Sequence, residues 1–280
     1  MSTHPQQIGI YQVLETISSD GHDVYKVRVS GGQPLALKTA VRAKLSADEI
    51  HRFQREAEVC SELDHRNLVQ VFDSGEADGI LYQAMDLLEG ADLAAVLASG
   101  RAFTWLQKLS MMQQICEGME YAHRLCLVHR NLLPSNIFLE NSGRIRVLDF
   151  GKVRDENSTG QSLGALTVLQ AYVSPEQVRS QPCTAASDVF SMGVIFYELC
   201  SGRHPFFHGT TRASKSLGQV LDNIARETPP ALTAIVADAP AYLDRVLQQA
   251  LQKDAALRPA NAGALRTLMA QESMRAVSGG

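Results

Sequence analysis

The sequence predicts an α+β protein in which a small antiparallel sheet with one inserted helix precedes a larger helical part. Three features predict this. Strand-like segments with period-two patterning crowd the chain before Gly90, and one capped helical segment interrupts them. After Gly90 apolar residues recur mostly at helical spacing. From Asp188 to Leu199 they lie on almost every side, which implies a helix buried all round.

Tyr11 to Lys38 reads as strands, with Val24, Tyr25, Val27 and Val29 in one and Leu35 to Lys38 as its hairpin partner beyond Gly31-Gly32. Ser46-Ala47-Asp48-Glu49 is a capping box, in which the Ser46 and Glu49 side chains can satisfy free amides at a helix start. Behind it Ile50, Phe53, Ala57, Cys60 and Leu63 keep helical spacing. Leu68 to Phe72 and Ile80 to Met85 return to strand, with turns expected at Asp73-Ser74-Gly75 and Asp78-Gly79. Thr104 to Gln107 is a second capping box, followed by Leu109, Met112, Cys116, Met119 and His123 on one face. Asn136 to Leu139 and Ile145 to Leu148 form a short hairpin about a Gly143 turn. Leu243, Val246, Leu247, Ala250 and Leu251 mark an amphipathic helix, and Ala262 to Met269 one more.

The chain has 280 residues, 45% hydrophobic and 20% charged, enough to bury a sizeable core in one or two lobes. A formal net charge of -4 argues against a nonspecific binder of nucleic acid or of anionic membrane. The 5 cysteines are scattered with no CxxC pair, which favours a reducing compartment over a disulfide framework. Met1 to Gly9 is polar, so no secretory signal is expected. Val189 to Cys200 is too short to span a bilayer. A cytoplasmic protein without a membrane segment is expected. The 8 histidines show no ligand spacing, and His129 reads as a core residue.

Several motifs occur in a telling order between Tyr11 and Met269. They are Leu35-Ala36-Leu37-Lys38, Glu56 on the inserted helix, and His129-Arg130-Asn131-Leu132-Leu133-Pro134-Ser135-Asn136. Asp149-Phe150-Gly151, Ser174-Pro175-Glu176 and Leu257-Arg258-Pro259 follow. Through them the chain resembles the eukaryotic-type serine/threonine protein kinases, including their bacterial members. The resemblance implies a bilobal protein kinase-like fold: an N-terminal tail over 1–10, an N-lobe over 11–88, a C-lobe over 89–270 and a C-terminal tail over 271–280.

It also implies roles. Lys38 would contact the α- and β-phosphates of ATP and pair with Glu56. Glu56 stands three residues from Phe53 and four from Cys60, so its carboxylate lies beside the apolar face of the helix, where it is costly unless paired. From the residues alone, a solvated glutamate among Arg52, Arg55 and Glu58 is the alternative. Val24, Ala36, the gatekeeper Met85, and Asp86 and Leu88 of the hinge would surround the nucleotide. Asn136 and Asp149 would hold Mg²⁺, which suits one carboxylate and one amide beside phosphate and water. Arg258 would pair with Glu176, and Asp188 would brace the catalytic loop from below.

The family pattern fails in four places. Asn131 replaces the aspartate that orients the substrate hydroxyl and accepts its proton, and an amide takes no proton near neutral pH. Positioned bases contribute roughly 10²–10⁴-fold in rate. Leu133 replaces the lysine that neutralises the transferring phosphoryl group, a kind of contact whose loss costs roughly 2.7–4 kcal/mol. The two losses need not add, because residues acting as one unit are not independent. Leu169 stands where a threonine would bond both of those groups. The phosphate loop, Ile17 to Tyr25, is about one residue short of the family pattern, with Ser18, Asp20 and Asp23 at or near its glycine positions. Carboxylates there repel phosphate, and Asp20-Gly21 fits a tight turn. Ser158, Thr159, Ser162 and Thr167 lie where related kinases are phosphorylated, with Arg130 as the residue to hold such a phosphate; a plain polar loop is the alternative.

The expected function is that of a pseudokinase, with weakened binding of ATP and Mg²⁺, impaired phosphoryl transfer and a protein as its partner. An active serine/threonine kinase of low turnover with a protein substrate, and a scaffold that takes no nucleotide, stay open as alternatives.

Overall fold

The computed structural model describes residues 5–18, 23–150, 154–155, 171–207 and 217–278. Its first part is a mainly meandering antiparallel sheet. Strands β1 (Gln7–Ile8), β2 (Tyr11–Ser18), β3 (Asp23–Arg28) and β4 (Leu35–Val41) pair in succession. Helix α1 (Ala47–Ser61) then intervenes before β5 (Val71–Ala77) and β6 (Ile80–Met85). The sheet order β1-β2-β3-β4-β6-β5 puts the last hairpin in reverse beside β4. Asp78 and Gly79, at φ 51° and 74°, make its tight turn, as their residue types predict.

The two faces of this sheet have different work. Tyr25, Val27, Leu37 and Ala84 close one face over Ile8 and Tyr11. On the other face Ala40 and Leu81 pack under Phe53 of α1. Alternation along β4 therefore assigns Leu37 to the first face, and Ala36, Lys38 and Ala40 to the side that α1 covers. The Ser46/Glu49 capping box is formed, with the Glu49 N–H donating to Ser46 Oγ at 3.3 Å and the Ser46 N–H to Glu49 Oε2 at 2.8 Å.

The second part begins with β7 (Gly90–Asp92) and α2 (Leu93–Ala98), followed by α3 (Trp105–Arg124), whose Thr104/Gln107 capping box is also present. The short strand β8 (Leu127–Val128) leads to the hairpin of β9 (Ile137–Glu140) and β10 (Ile145–Val147), and β11 (Arg154–Asp155) pairs back onto β8. Gly143, at φ 85°, turns the hairpin as expected. Next come α4 (Pro175–Val178), α5 (Ala185–Ser201), α6 (Leu217–Arg226), α7 (Tyr242–Ala250) and α8 (Ala262–Ser278). One large apolar cluster joins α3, α5, α7 and α8, and reaches Cys60, Leu63 and Phe150. Helix α5 is its axis: every residue from Ala185 to Cys200 is buried.

Four local expectations need correction. Asp73-Ser74-Gly75 is no turn but the middle of β5. There Tyr11 donates to Asp73 at 2.6 Å, and Gly75 leaves room for the Tyr82 ring, whose hydroxyl would stand 2.7 Å from any added Cβ. Asn136 closes a 3-10 turn (Pro134–Asn136) rather than opening β9, because Pro134 starts the turn. Helix α5 begins at Ala185, three residues before Asp188, and α8 runs past Met269 to Ser278. Helix α6 was not anticipated at all. Among the described residues no helix is long and apolar enough to cross a membrane.

Candidate active site

Strand register assembles one wall of the site. Val24 stands opposite Lys38, Lys38 opposite Gln83, and Ala36 opposite Met85. Cross-strand partners share a face, as do residues two apart on a strand. Val24, Ala36, Lys38, Gln83 and Met85 therefore lie on one side of the sheet, where the Lys38 ammonium feels the charge of Asp149. Asp86 and Leu88 follow Met85 into the connection to β7 and are half-buried.

Helix α1 brings Glu56 to this wall. Lys38 Nζ donates to Glu56 Oε1 at 2.9 Å and to Oε2 at 2.7 Å, and Glu56 is 7% exposed. Burial pulls the Lys38 ammonium down, but the carboxylates of Glu56 and Asp149 outweigh it and hold its pKa above the ordinary lysine value. Gln83, which the sequence reading passed over, locks the helix in place. Its Nε2 donates to the Phe53 carbonyl at 2.6 Å, and its amide also steadies the Glu56 carboxylate. A polar residue at an inward position of an apolar strand was the available signal.

The opposite wall is the loop from His129 to Asn136. Asp188, fully buried, accepts the His129 and Arg130 backbone N–H groups, both at 2.8 Å. His123 also meets Asp188, with Nε2 3.0 Å from Oδ2. Since His123 Nδ1 accepts from the Ala262 N–H, the Nε2 proton is the one facing Asp188. Burial alone would raise the Asp188 pKa, but these donors hold it below the ordinary carboxylate value. Just after the second anchored amide Arg130 takes φ 62°, a conformation the braced loop imposes. His129 is fully buried, as expected, and its Nε2 bonds the Leu148 carbonyl at 2.9 Å, tying the loop to the segment before Asp149.

At the centre three side chains meet. Asn131 Nδ2 donates to Asp149 Oδ2 at 2.8 Å. Asn136 Nδ2 donates to the same oxygen at 3.2 Å and to the Asn131 carbonyl at 2.9 Å. Asp149 has φ 63°, and Phe150 behind it is fully buried, with its ring 4.6 Å from that of His129. Leu133 points away from this chemistry: it is 6% exposed and belongs to the main apolar cluster.

A second missed residue is Arg146 on β10. It is buried, forms an ion pair with Asp86, and lies 3.7 Å from Glu140. The Asp86 carboxylate also accepts the Gln70 N–H at 3.1 Å, so the hinge side chain is fixed from two directions. Farther from the centre, Arg258 grips Glu176 through two bonds of 2.8 Å, and Ser187 Oγ donates to the same carboxylate at 2.6 Å. Ser19, Asp20, Gly21 and His22 of the phosphate loop lie outside the described residues, as do Gly151, Ser158, Thr159, Ser162, Thr167 and Leu169. Asp23, at the edge of that loop, opens β3 opposite Thr39.

Among the described residues no group of three or more His, Cys, Asp and Glu could hold a metal. Among the described residues at this centre, the Asp149 carboxylate and the Asn136 amide oxygen make a hard pair of the kind that suits Mg²⁺ completed by phosphate and water.

Residues 19–270 match the family described as protein kinase domain. The chain is 33% identical over 232 residues to serine/threonine-protein kinase PrkC of Bacillus subtilis, covering 80% of this chain and 34% of PrkC. It is 32% identical over 272 residues to serine/threonine-protein kinase pkn3 of Myxococcus xanthus, covering 91% of this chain and 48% of that protein. Against serine/threonine-protein kinase PknL of Mycobacterium tuberculosis the identity is 32% over 260 residues, covering 91% of this chain and 63% of PknL. The chain thus spans less than two thirds of the length of each of these relatives.

Proposed function

The chain belongs to the protein kinase domain family, and on that premise we propose that it is a pseudokinase: a domain that takes ATP and Mg²⁺ weakly, is impaired in phosphoryl transfer, and acts by binding another protein. The observation that carries this reading is the Asn131–Asp149 hydrogen bond at 2.8 Å. The group at the base position is an amide that donates toward the metal-binding carboxylate, and it has no proton-accepting capacity near neutral pH. Leu133, buried in the core, supplies no charge to a phosphoryl group.

Lys38 would meet the nucleotide phosphates, with Glu56 orienting its ammonium. Asp149 and Asn136 would hold Mg²⁺, which when bound neutralises phosphate charge. Ala36, Val24 and Met85 present an apolar wall to a base, and Asp86 and Leu88 the backbone beside it. A reducing, cytoplasmic setting is part of this reading, supported by Cys60, Cys116 and Cys200, which are free and buried as apolar side chains.

A second reading, an active kinase of low turnover, is favoured by the intact Lys38–Glu56 pair, because phosphoryl transfer rests largely on positioning and charge stabilisation. One paired experiment separates the two. Melting temperature is measured with ATP, with and without Mg²⁺, alongside transfer of γ-phosphate to a generic protein substrate. The pseudokinase reading expects a small ATP shift and no transfer above background. Transfer that disappears in Asp149→Ala would replace it with the active kinase, and no ATP shift under either condition would leave a scaffold that takes no nucleotide.

A further inference from the structure

We propose that the Asn131 amide stands in for a divalent cation at Asp149, so that nucleotide uptake by this cleft depends little on Mg²⁺. The inference rests on the reading that the cleft takes a nucleotide. It concerns what holds the key carboxylate when it does.

Asp149 Oδ2 receives two amide donors, Asn131 Nδ2 at 2.8 Å and Asn136 Nδ2 at 3.2 Å. A carboxylate oxygen offers two lone pairs, so a cation cannot use Oδ2 without breaking one of these bonds. Hydrogen bonds to an ionised acceptor are roughly twice as strong as neutral ones. The arrangement is also closed on itself. Asn136 Nδ2 bonds the Asn131 carbonyl at 2.9 Å, and the Asn131 N–H lies 3.3 Å from His129 Nδ1. The loop that presents Asn131 is anchored in turn by Asp188. The donor is therefore placed by the fold before any ligand arrives. The Lys38 ammonium adds its positive field to the same carboxylate.

An aspartate at 131 would behave in the opposite way. It would offer Asp149 only acceptors and a like charge, and a cation would be needed to reconcile the two. The substitution that removes a proton acceptor thus also removes a like charge beside Asp149 and gives its carboxylate a fixed hydrogen-bond donor where metal would otherwise hold it. Asn131 acts here as a positioning residue for Asp149.

The test compares the wild type, Asn131→Ala and Asn131→Asp by ATP titration in EDTA and in excess Mg²⁺, following melting temperature and heat of binding. Binding of Mn²⁺ is followed in parallel by electron paramagnetic resonance. The wild type is expected to bind ATP with nearly the same affinity in both buffers. Asn131→Ala removes the donor without adding charge and should make ATP affinity rise roughly tenfold with Mg²⁺. Mn²⁺ should bind more tightly to both variants. Asn131→Ser, too short to reach Asp149, serves as the second neutral variant should Ala lose the fold. A wild type that binds ATP only with Mg²⁺ would overturn this inference alone, as would Mg²⁺ dependence gained by Asn131→Asp and by neither neutral variant. No ATP binding by any of the proteins would overturn the nucleotide reading and this inference with it.

Discussion

Lys38 Nζ reaches both oxygens of Glu56, at 2.9 and 2.7 Å, and by doing so joins the fourth strand to the only helix inserted in the described sheet. The pair is almost sealed from solvent, with side-chain exposures of 17% and 9%. Each charge is tolerable there because of the other, so the position of α1 and the presentation of the lysine are one property.

Removing one partner should therefore cost more than removing both. Lys38→Met strands a buried carboxylate and is expected to lower unfolding free energy by about 3–5 kcal/mol. Adding Glu56→Met should recover most of that loss. Urea unfolding of the two single variants and the double variant measures it; equal losses in the Lys38→Met and double variants would contradict the coupling.

The Glu176–Arg258 pair gives stability a defined acid limb. Burial works to raise the Glu176 pKa, but Arg258 and Ser187 hold it below the ordinary value. A depressed carboxylate contributes stability above its unfolded pKa of about 4.3, and the contribution is lost as pH falls through the lower folded value. Arg258→Met should cost about 3–5 kcal/mol at pH 7 and much less near pH 3. Unfolding across that range should show the two curves converging in acid.

Asp188 is the shared acceptor beneath the loop from His129 to Asn136. Asp188→Ala leaves the His129 and Arg130 amides without it, and should destabilise by about 3 kcal/mol. Exchange of those two amide protons, measured by NMR, should accelerate more than that of helix α7.

Gly90 and Gly143 both have positive φ, at 152° and 85°, but only one is crowded. A Cβ on Gly90 would overlap the Leu139 carbonyl oxygen, whereas Gly143 faces open space. Gly143→Ala is expected to cost about 1 kcal/mol, and Gly90→Ala clearly more, on the order of 3 kcal/mol, from strain and overlap together. Melting temperatures of the two variants check the ranking.

Much of this was legible in the sequence because the signals were local. Ser46/Glu49 and Thr104/Gln107 lie three residues apart, so each capping box could be read directly and each is formed. The motif residues share a site because family motif order encodes long-range placement that spacing by itself does not. What stayed hidden depended on distant partners. Gln83 finds Phe53 across 30 residues and Arg146 finds Asp86 across 60, and neither strand announces such a partner. Strand β5 was misread because Asp73 and Gly75 are turn formers whose propensities yield to Tyr11 and Tyr82. Helix α6 does carry a helical signal in the spacing of Leu217, Val220, Leu221 and Ile224, which Gly218 and Asn223, both weak helix formers, obscure; Asn223 bonds the Phe206 carbonyl at 3.1 Å.

The burial of Leu133 has a consequence for reversibility. Leu133 packs with the main cluster and adds to stability, where the family resemblance would lead one to expect a lysine that faces phosphate. Leucine at this position contributes cohesion, and replacing it by lysine would thrust an ammonium stem into an interior that has closed around a hydrocarbon. The two directions are unequal. On the proposed pseudokinase reading, pressure for a stable fold is enough to retain the leucine, and the position works as a ratchet.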